Sequence, residues 1–381
     1  MRATVCAMIL VCALTCAARA QKKPFEINAQ TPEGALLQTA GQESDDAKRT
    51  ALYEQFLQKY PSHEGVPMAA AALQAIYAKA GNFDKVMQMA DLALAVDPAS
   101  VAAGYVALEA AEQKKDPAAI KIWAVKTVDA AKKSMATPKP SDSDEAEEWA
   151  KEQDYAKQLI VRCEYSLATA LIQSQDPKVK ADLGDALMQM NPASQYMAGA
   201  APHYLWGLSQ SGRGADAAAA AEKLLTTDKT NEDWMAVVAD YNLTAQNYDK
   251  AATYATMIVE TLKKKNAPEG TDAATWEKAK TAKMARGYFI AGRAYYEQKK
   301  WADADTDLRA GLPLMQGDND LLAPTYFYLG FANHELARTA KASVRGAILA
   351  DAKKFTSACA AIAGPLQVQC KKNLEGLQAG R

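Results

Sequence analysis

A unit of helix, tight turn and helix recurs along this chain at a spacing of 34 residues, and no other feature constrains the fold as strongly. The clearest copy opens at Val66-Pro67 and closes at Asp97-Pro98. Leu73 and Tyr77 stand four apart, on one face of a helix. Ala80-Gly81-Asn82 follows, and glycine gives such a turn backbone freedom closed to most residues. Phe83-Asp84-Lys85 opens a second helix, on which Ala90 and Ala93 are small enough to let two helices approach closely. Pro98 ends that helix and begins the next unit. Each such unit is too small to bury its own apolar face, so stacked neighbours must do it.

Looser copies follow. One begins at Val101, with Lys115-Asp116-Pro117 at its turn. Another spans about 161–192, with Leu167, Ala168 and the turn Gln175-Asp176-Pro177. Its end, Asn191-Pro192-Ala193-Ser194, echoes Asp97-Pro98-Ala99-Ser100. A fourth starts near 198, with Ser211-Gly212-Arg213-Gly214 at the turn. A fifth starts near 232, with Gln246-Asn247-Tyr248; Gly214 and Tyr248 hold equivalent places 34 residues apart. The sixth, from about 285, carries Gly292, Tyr295 and Lys300-Trp301-Ala302. The seventh, from about 323, has Leu329-Gly330 and Ala337, with a poorly marked second helix. Residues 30–62 form a degenerate leading copy. Alanine is about a fifth of the chain and aromatics 8%, a balance that suits helices packed through small residues.

These residues resemble the tetratricopeptide repeat (TPR), and the resemblance covers most of 30–355. It implies an all-α fold: a right-handed α-solenoid of helix-turn-helix (TPR-like) repeats. The alternative is an unrelated helical bundle, which would not need this period. The expected division is a signal peptide at 1–20, a degenerate repeat at 21–66 and repeats at 67–134. An insert with a helix extension follows at 135–160, then repeats at 161–265, an insert with further repeats at 266–350, and a cap at 351–381. Both inserts follow a Lys-Lys helix end and precede a tryptophan, Trp149 or Trp276. Each reads as a loop leading into an extended first helix, and Asp142 to Glu148 as a solvated helix start.

Residues 1–20 have a charged start, a short apolar run and Ala18-Arg19-Ala20, the pattern of a secretory signal peptide cut after Ala20. An exported bacterial member of the repeat family, periplasmic or secreted, is expected. The residues before Cys12 and Cys16 lack the small side chain that usually precedes a lipidated cysteine. Three cysteines then remain. Cys359 and Cys370 flank Gly364-Pro365, and a helical hairpin there predicts a disulfide; the alternative is two buried thiols. Cys163 reads as a core thiol.

The 44 basic and 45 acidic residues argue against a nucleic-acid partner. No catalytic site is expected. His63-Glu64 and His334-Glu335 begin like a zinc-protease motif, but Pro67 and Arg338 stand where the second histidine belongs. Phosphate loops and nucleophile elbows are missing. No metal or cofactor is expected, and no later segment is long and apolar enough to span a membrane.

What the resemblance implies instead is a protein or peptide bound in a concave groove lined by each unit's first helix. Carried over unit by unit, groove candidates are Tyr105, Arg162, Tyr165, His203, Trp206, Arg286, Phe289, Arg293, Tyr296, Phe327, Phe331 and His334. Arginine and aromatic residues are the types enriched at binding hot spots. About half are expected to be packing residues, because an aromatic at helical spacing more often faces a core. The Lys and Asn pattern with which some family members clamp a terminal carboxylate is missing; Ala71 and Ala75 stand there. The leading expectation is a non-enzymatic scaffold. The alternatives are a component of an outer-envelope assembly complex, associated peripherally, and a glycan-binding or enzymatic protein on the same scaffold.

Overall fold

The computed structural model describes residues 26–379, and the expected signal peptide and its cleavage point lie outside them. The described residues form seventeen α-helices and one short 3-10 turn, with no strand. The chain divides into two compact units between Ser211 and Gly212.

The first unit holds nine helices: α1 Pro32–Gln42, α2 Asp46–Lys59, α3 Val66–Lys79, α4 Phe83–Val96, α5 Val101–Lys114, α6 Pro117–Met135, α7 Ser143–Gln173, α8 Pro177–Met190 and α9 Met197–Gln210. Here α3 packs along α4, α5 along α6 and α7 along α8, and each second helix also packs against the next first helix. The first helices α3, α5, α7 and α9 touch in succession, which makes one face of the unit a continuous layer. The second unit holds α10 Gly214–Leu225, α11 Glu232–Thr244, α12 Tyr248–Lys264, α13 Ala273–Glu297, α14 Trp301–Gly311, α15 Asn319–Thr339, α16 Ala342–Ala361 and α17 Gln367–Gln378. Its hairpins are α11/α12, α13/α14 and α15/α16, with α11, α13 and α15 as the first-helix layer. The fold is therefore an α-solenoid of TPR-like helix-turn-helix repeats.

Small residues set the helix spacing. A Cβ on Gly292 of α13 would sit 2.4 Å from Leu308 Cγ on α14, and one on Gly330 of α15 2.4 Å from Thr356 Oγ1 on α16. Neither position leaves room for a side chain. The turns have one design. Gly81, Lys115, Gly212, Gln246 and Lys299 all have φ between 54° and 76°, the left-handed region. A closing bond to the helix end follows four of them: Asn82 N–H to Tyr77 O at 2.8 Å, Asp116 to Ala111 at 3.2 Å, Asn247 to Asn242 at 2.8 Å and Lys300 to Tyr295 at 2.9 Å. The next helix starts on a cap where the sequence supplies one. The Asp116 carboxylate accepts from the Ala118 and Ala119 amides, and Asn82 from that of Lys85.

Both inserts lead into long first helices, 31 residues in α7 and 25 in α13. Asp142 caps α7. Trp149 donates its indole N–H to Thr137 at 3.1 Å, which ties the insert to the helix it precedes. Other boundaries differ from the expected ones. The segment 135–160 holds the loop and the extension of a first helix, as expected, but its bound at 160 marks no break, because α7 runs unbroken from 143 to 173. The expected cap at 351–381 is also redrawn. Helix α16 crosses 350 and packs along α15, so it is the second helix of the seventh hairpin, and only α17 lies beyond it. Cys359 of α16 and Cys370 of α17 form a disulfide with Cα atoms 5.8 Å apart, and Cys163 is a buried thiol.

Candidate functional site

In the first unit, the first-helix layer places its candidates unequally. Tyr105 is only 5% exposed and packs with Val101, Ala131, Ala156 and Leu159, so it is a core residue and not a groove residue. Its position on α5 points between helices, and burial together with nearby Glu109 pushes its hydroxyl pKa up. Arg162 of α7 is committed to its neighbours. Its two terminal nitrogens meet the two Glu112 oxygens of α5 at 2.9 and 2.6 Å, one of them also bonds Ser166 Oγ, and the guanidinium lies over the Tyr165 ring. Tyr165 and Trp206 are each 46% exposed. Tyr196, not anticipated from the sequence, meets Tyr165 edge-on at 5.4 Å. His203 is half-buried on α9, with Nδ1 3.4 Å from Lys180 Nζ. Lys180 is itself buried and donates to the Leu171 and Ile172 carbonyls at the end of α7. Burial, and then the Lys180 charge, hold the His203 imidazole below its ordinary pKa.

In the second unit, three candidates converge. Arg286, Phe289 and Arg293 are spaced three and four apart on α13 and share a face. They line a cleft of about 300 Å³ with Ile290, with Asp240, Leu243 and Thr244 of α11, and with Leu321 of α15. The cleft thus crosses all three first helices of the unit. Arg286 donates to Asp240 at 2.7 Å. The carboxylate nearest Arg293 is Glu297 on its own helix, at 3.9 Å from Nε. That Nε is closed to solvent and has no hydrogen-bond partner.

The remaining candidates extend this face. Tyr296 lies 4.6 Å from Tyr328, 5.4 Å from Trp301 and 5.5 Å from Phe331, centroid to centroid, and Phe289 reaches Tyr328 at 6.2 Å. Burial pushes the Tyr296 hydroxyl up to about 12. Phe327 is half-buried against Tyr328 and the Cys359–Cys370 pair. His334 lies 3.7 Å from Glu335. Sequence reasoning missed Asp240, Thr244, Leu321, Trp301 and Tyr328. The one available signal for α11 was the spacing of Asp233, Val237, Asp240 and Thr244 along a single face.

A larger hollow of about 490 Å³ lies between the 3-10 turn Leu312–Met315 and helices α15 and α16. Only Gln316 and Lys354 bring polar side chains to it besides the Tyr326 hydroxyl, and the Gln316 amide already donates to Leu312 O. It contains none of the sequence candidates. Among the described residues, no group of three or more His, Cys, Asp or Glu is placed to hold a metal ion, and no helix is long and apolar enough to cross a membrane.

No protein-family model matches this chain, and no curated protein matches it. Solved structures similar to it include the TPR domain of P58(IPK), at 10% identity over 92% of this chain and 98% of that one, with a TM-score of 0.26. Yeast Tom70 is similar at 12% identity over 93% and 97%, with a TM-score of 0.22. Naa15/Naa10 bound to HypK is similar at 13% identity over 86% and 71%, with a TM-score of 0.20. Similarities at this level assign no activity or partner to the chain.

Proposed function

We propose that this protein is an exported, non-enzymatic scaffold that binds an extended polypeptide segment on the first-helix face of its second unit. The observation that carries the reading is the cleft shared by Arg286, Phe289 and Arg293 with Asp240, Thr244 and Leu321. It crosses the first helices of three successive hairpins, which suits a chain laid across them. Its walls mix apolar surface with charged and hydroxyl groups that can fix a backbone or side chain in register. The half-buried rings of Tyr296 and Tyr328 and the exposed ring of Phe331 prolong that surface beyond the cleft. Export rests on the first twenty residues, and sequencing the N-terminus of the mature protein should return Gln21.

The test is photo-crosslinking in living cells. A photo-reactive residue at Phe289 should capture a discrete polypeptide. The same residue at Met257, an exposed position on the second helix α12, should not. Equal capture at both positions, or turnover of a small substrate with no captured polypeptide, would overturn the reading.

A further inference from the structure

Helix α13 carries a ladder of cations, Lys283, Arg286 and Arg293, with Phe289 between the last two. Helix α11 answers the first two rungs. Lys283 Nζ lies 2.7 Å from Asp233 and 3.0 Å from Glu232, and Arg286 lies 2.7 Å from Asp240. At the third rung α11 offers Thr244 instead of a carboxylate. Arg293 is 40% exposed, the one carboxylate within 4 Å of it lies beyond hydrogen-bond distance, and with Nε closed to solvent it is the terminal nitrogens that an incoming group can reach. An arginine beside an apolar wall, with planar donors to spare, matches a carboxylate attached next to a bulky apolar group.

We propose that Arg293 and Phe289 form a paired subsite for an acidic residue adjoining a large apolar residue within the bound segment. This rests on the polypeptide-binding reading above. The carboxylate takes the unanswered guanidinium, and the apolar side chain enters between Phe289 and Leu321. Arg286 is a latent second cation, neutralised by Asp240.

The experiment pans a phage-displayed library of random peptides against the full chain and measures the enriched peptides in solution by fluorescence anisotropy. Enriched sequences should place Asp or Glu beside Leu, Ile, Met or Phe. Arg293→Gln should weaken them about tenfold or more, as loss of a charge-assisted hydrogen bond does. Amidating the acidic side chain should cost the same, and should cost nothing further in the Arg293→Gln background. Asp240→Asn, which frees Arg286, should tighten the same peptides severalfold, a gain that damaged folding would not produce. Enriched peptides without an acidic position, or affinities unmoved by both variants, overturn the subsite and leave the polypeptide-binding reading standing. A library that yields no binder overturns that reading, and the subsite with it.

Discussion

In the first unit, Arg162 gives both ends of its guanidinium to Glu112, touches Ser166 and covers Tyr165. In the second, Arg286 meets one carboxylate and Arg293 meets none within hydrogen-bond distance. Both units carry arginine and aromatic side chains on their first-helix layer, and the types alone do not distinguish them. What differs is whether an adjacent first helix supplies the counter-charge. Helix α5 does so for Arg162 of α7; helix α11 does so for Lys283 and Arg286 of α13 and not for Arg293. A surface whose polar groups are already paired holds a framework together, and one with a donor left over can pair with something else.

The largest expected effect isolates the end of the second unit. Helix α17 buries a single residue, Cys370, and the disulfide to Cys359 closes a loop with a sequence separation of 11. Reduction, or Cys370→Ser, should cost about 3 kcal/mol on loop entropy. Hydrogen exchange should rise first in α17, with amides of the first unit unchanged. Equal loosening of both units would break the division between them.

The next effect goes to the contrast itself. Arg162→Met leaves Glu112 without its partner between two packed helices and should cost about 2 kcal/mol in urea melts. Arg293→Met should cost under about 0.5 kcal/mol, since it removes no hydrogen bond made by Nε. Similar costs at both sites would mean that Arg293 is framework too.

Smaller and equal effects are expected where the units share a design. Lys115, Gln246 and Lys299 hold the left-handed turn position that Gly81 and Gly212 hold elsewhere. Replacing each by glycine should stabilise by about 0.5 kcal/mol, the relief of a left-handed Cβ less the added freedom of the unfolded chain. One substitution lies in the first unit and two in the second, and thermal melts should shift upward alike.

The smallest contrast is in pH. His203 is held below its ordinary value, so the unfolded chain takes up a proton before the folded one. Its contribution to the first unit is complete above the unfolded value, about 6.5, and falls as pH drops through it. Burial pushes the Glu232 carboxyl up, but hydrogen bonds from Lys265 and Lys283 and one with its own backbone outweigh this and leave it below the ordinary range. Its contribution to the second unit is complete above the unfolded value, about 4.3, and is lost only as pH falls through the depressed folded one. Acidification should soften the first unit before the second, and His203→Gln should flatten the slope between about pH 7 and 5.

The repeat was legible wherever its chemistry is local. Gly81-Asn82, Asp116-Pro117 and Asp176-Pro177 announce a helix end or a cap within a few residues. Lys115, Gln246 and Lys299 do not, because their backbone is set by closure of the preceding helix and not by their own preference. The second helix of the seventh hairpin was hidden for another reason. Residues 342–347 of α16 are exposed throughout, and its buried positions, Ala352, Phe355, Thr356, Cys359 and Ala360, begin only halfway along. No apolar period marks the front half. For the candidate site, sequence supplied the residue types on α13. It could not show that Tyr105 turns into the core or that Glu112 claims Arg162, since both depend on which helices come to lie side by side.

Hydrogen–deuterium exchange of the full chain, with and without a saturating library-selected peptide, tests the account most directly. Protection should appear on α11, α13 and the first half of α15, centred on the residues around Phe289, with α5, α7 and α9 unchanged. Protection confined to α7 and α9, around Tyr165 and Trp206, would place binding on the first unit and contradict it.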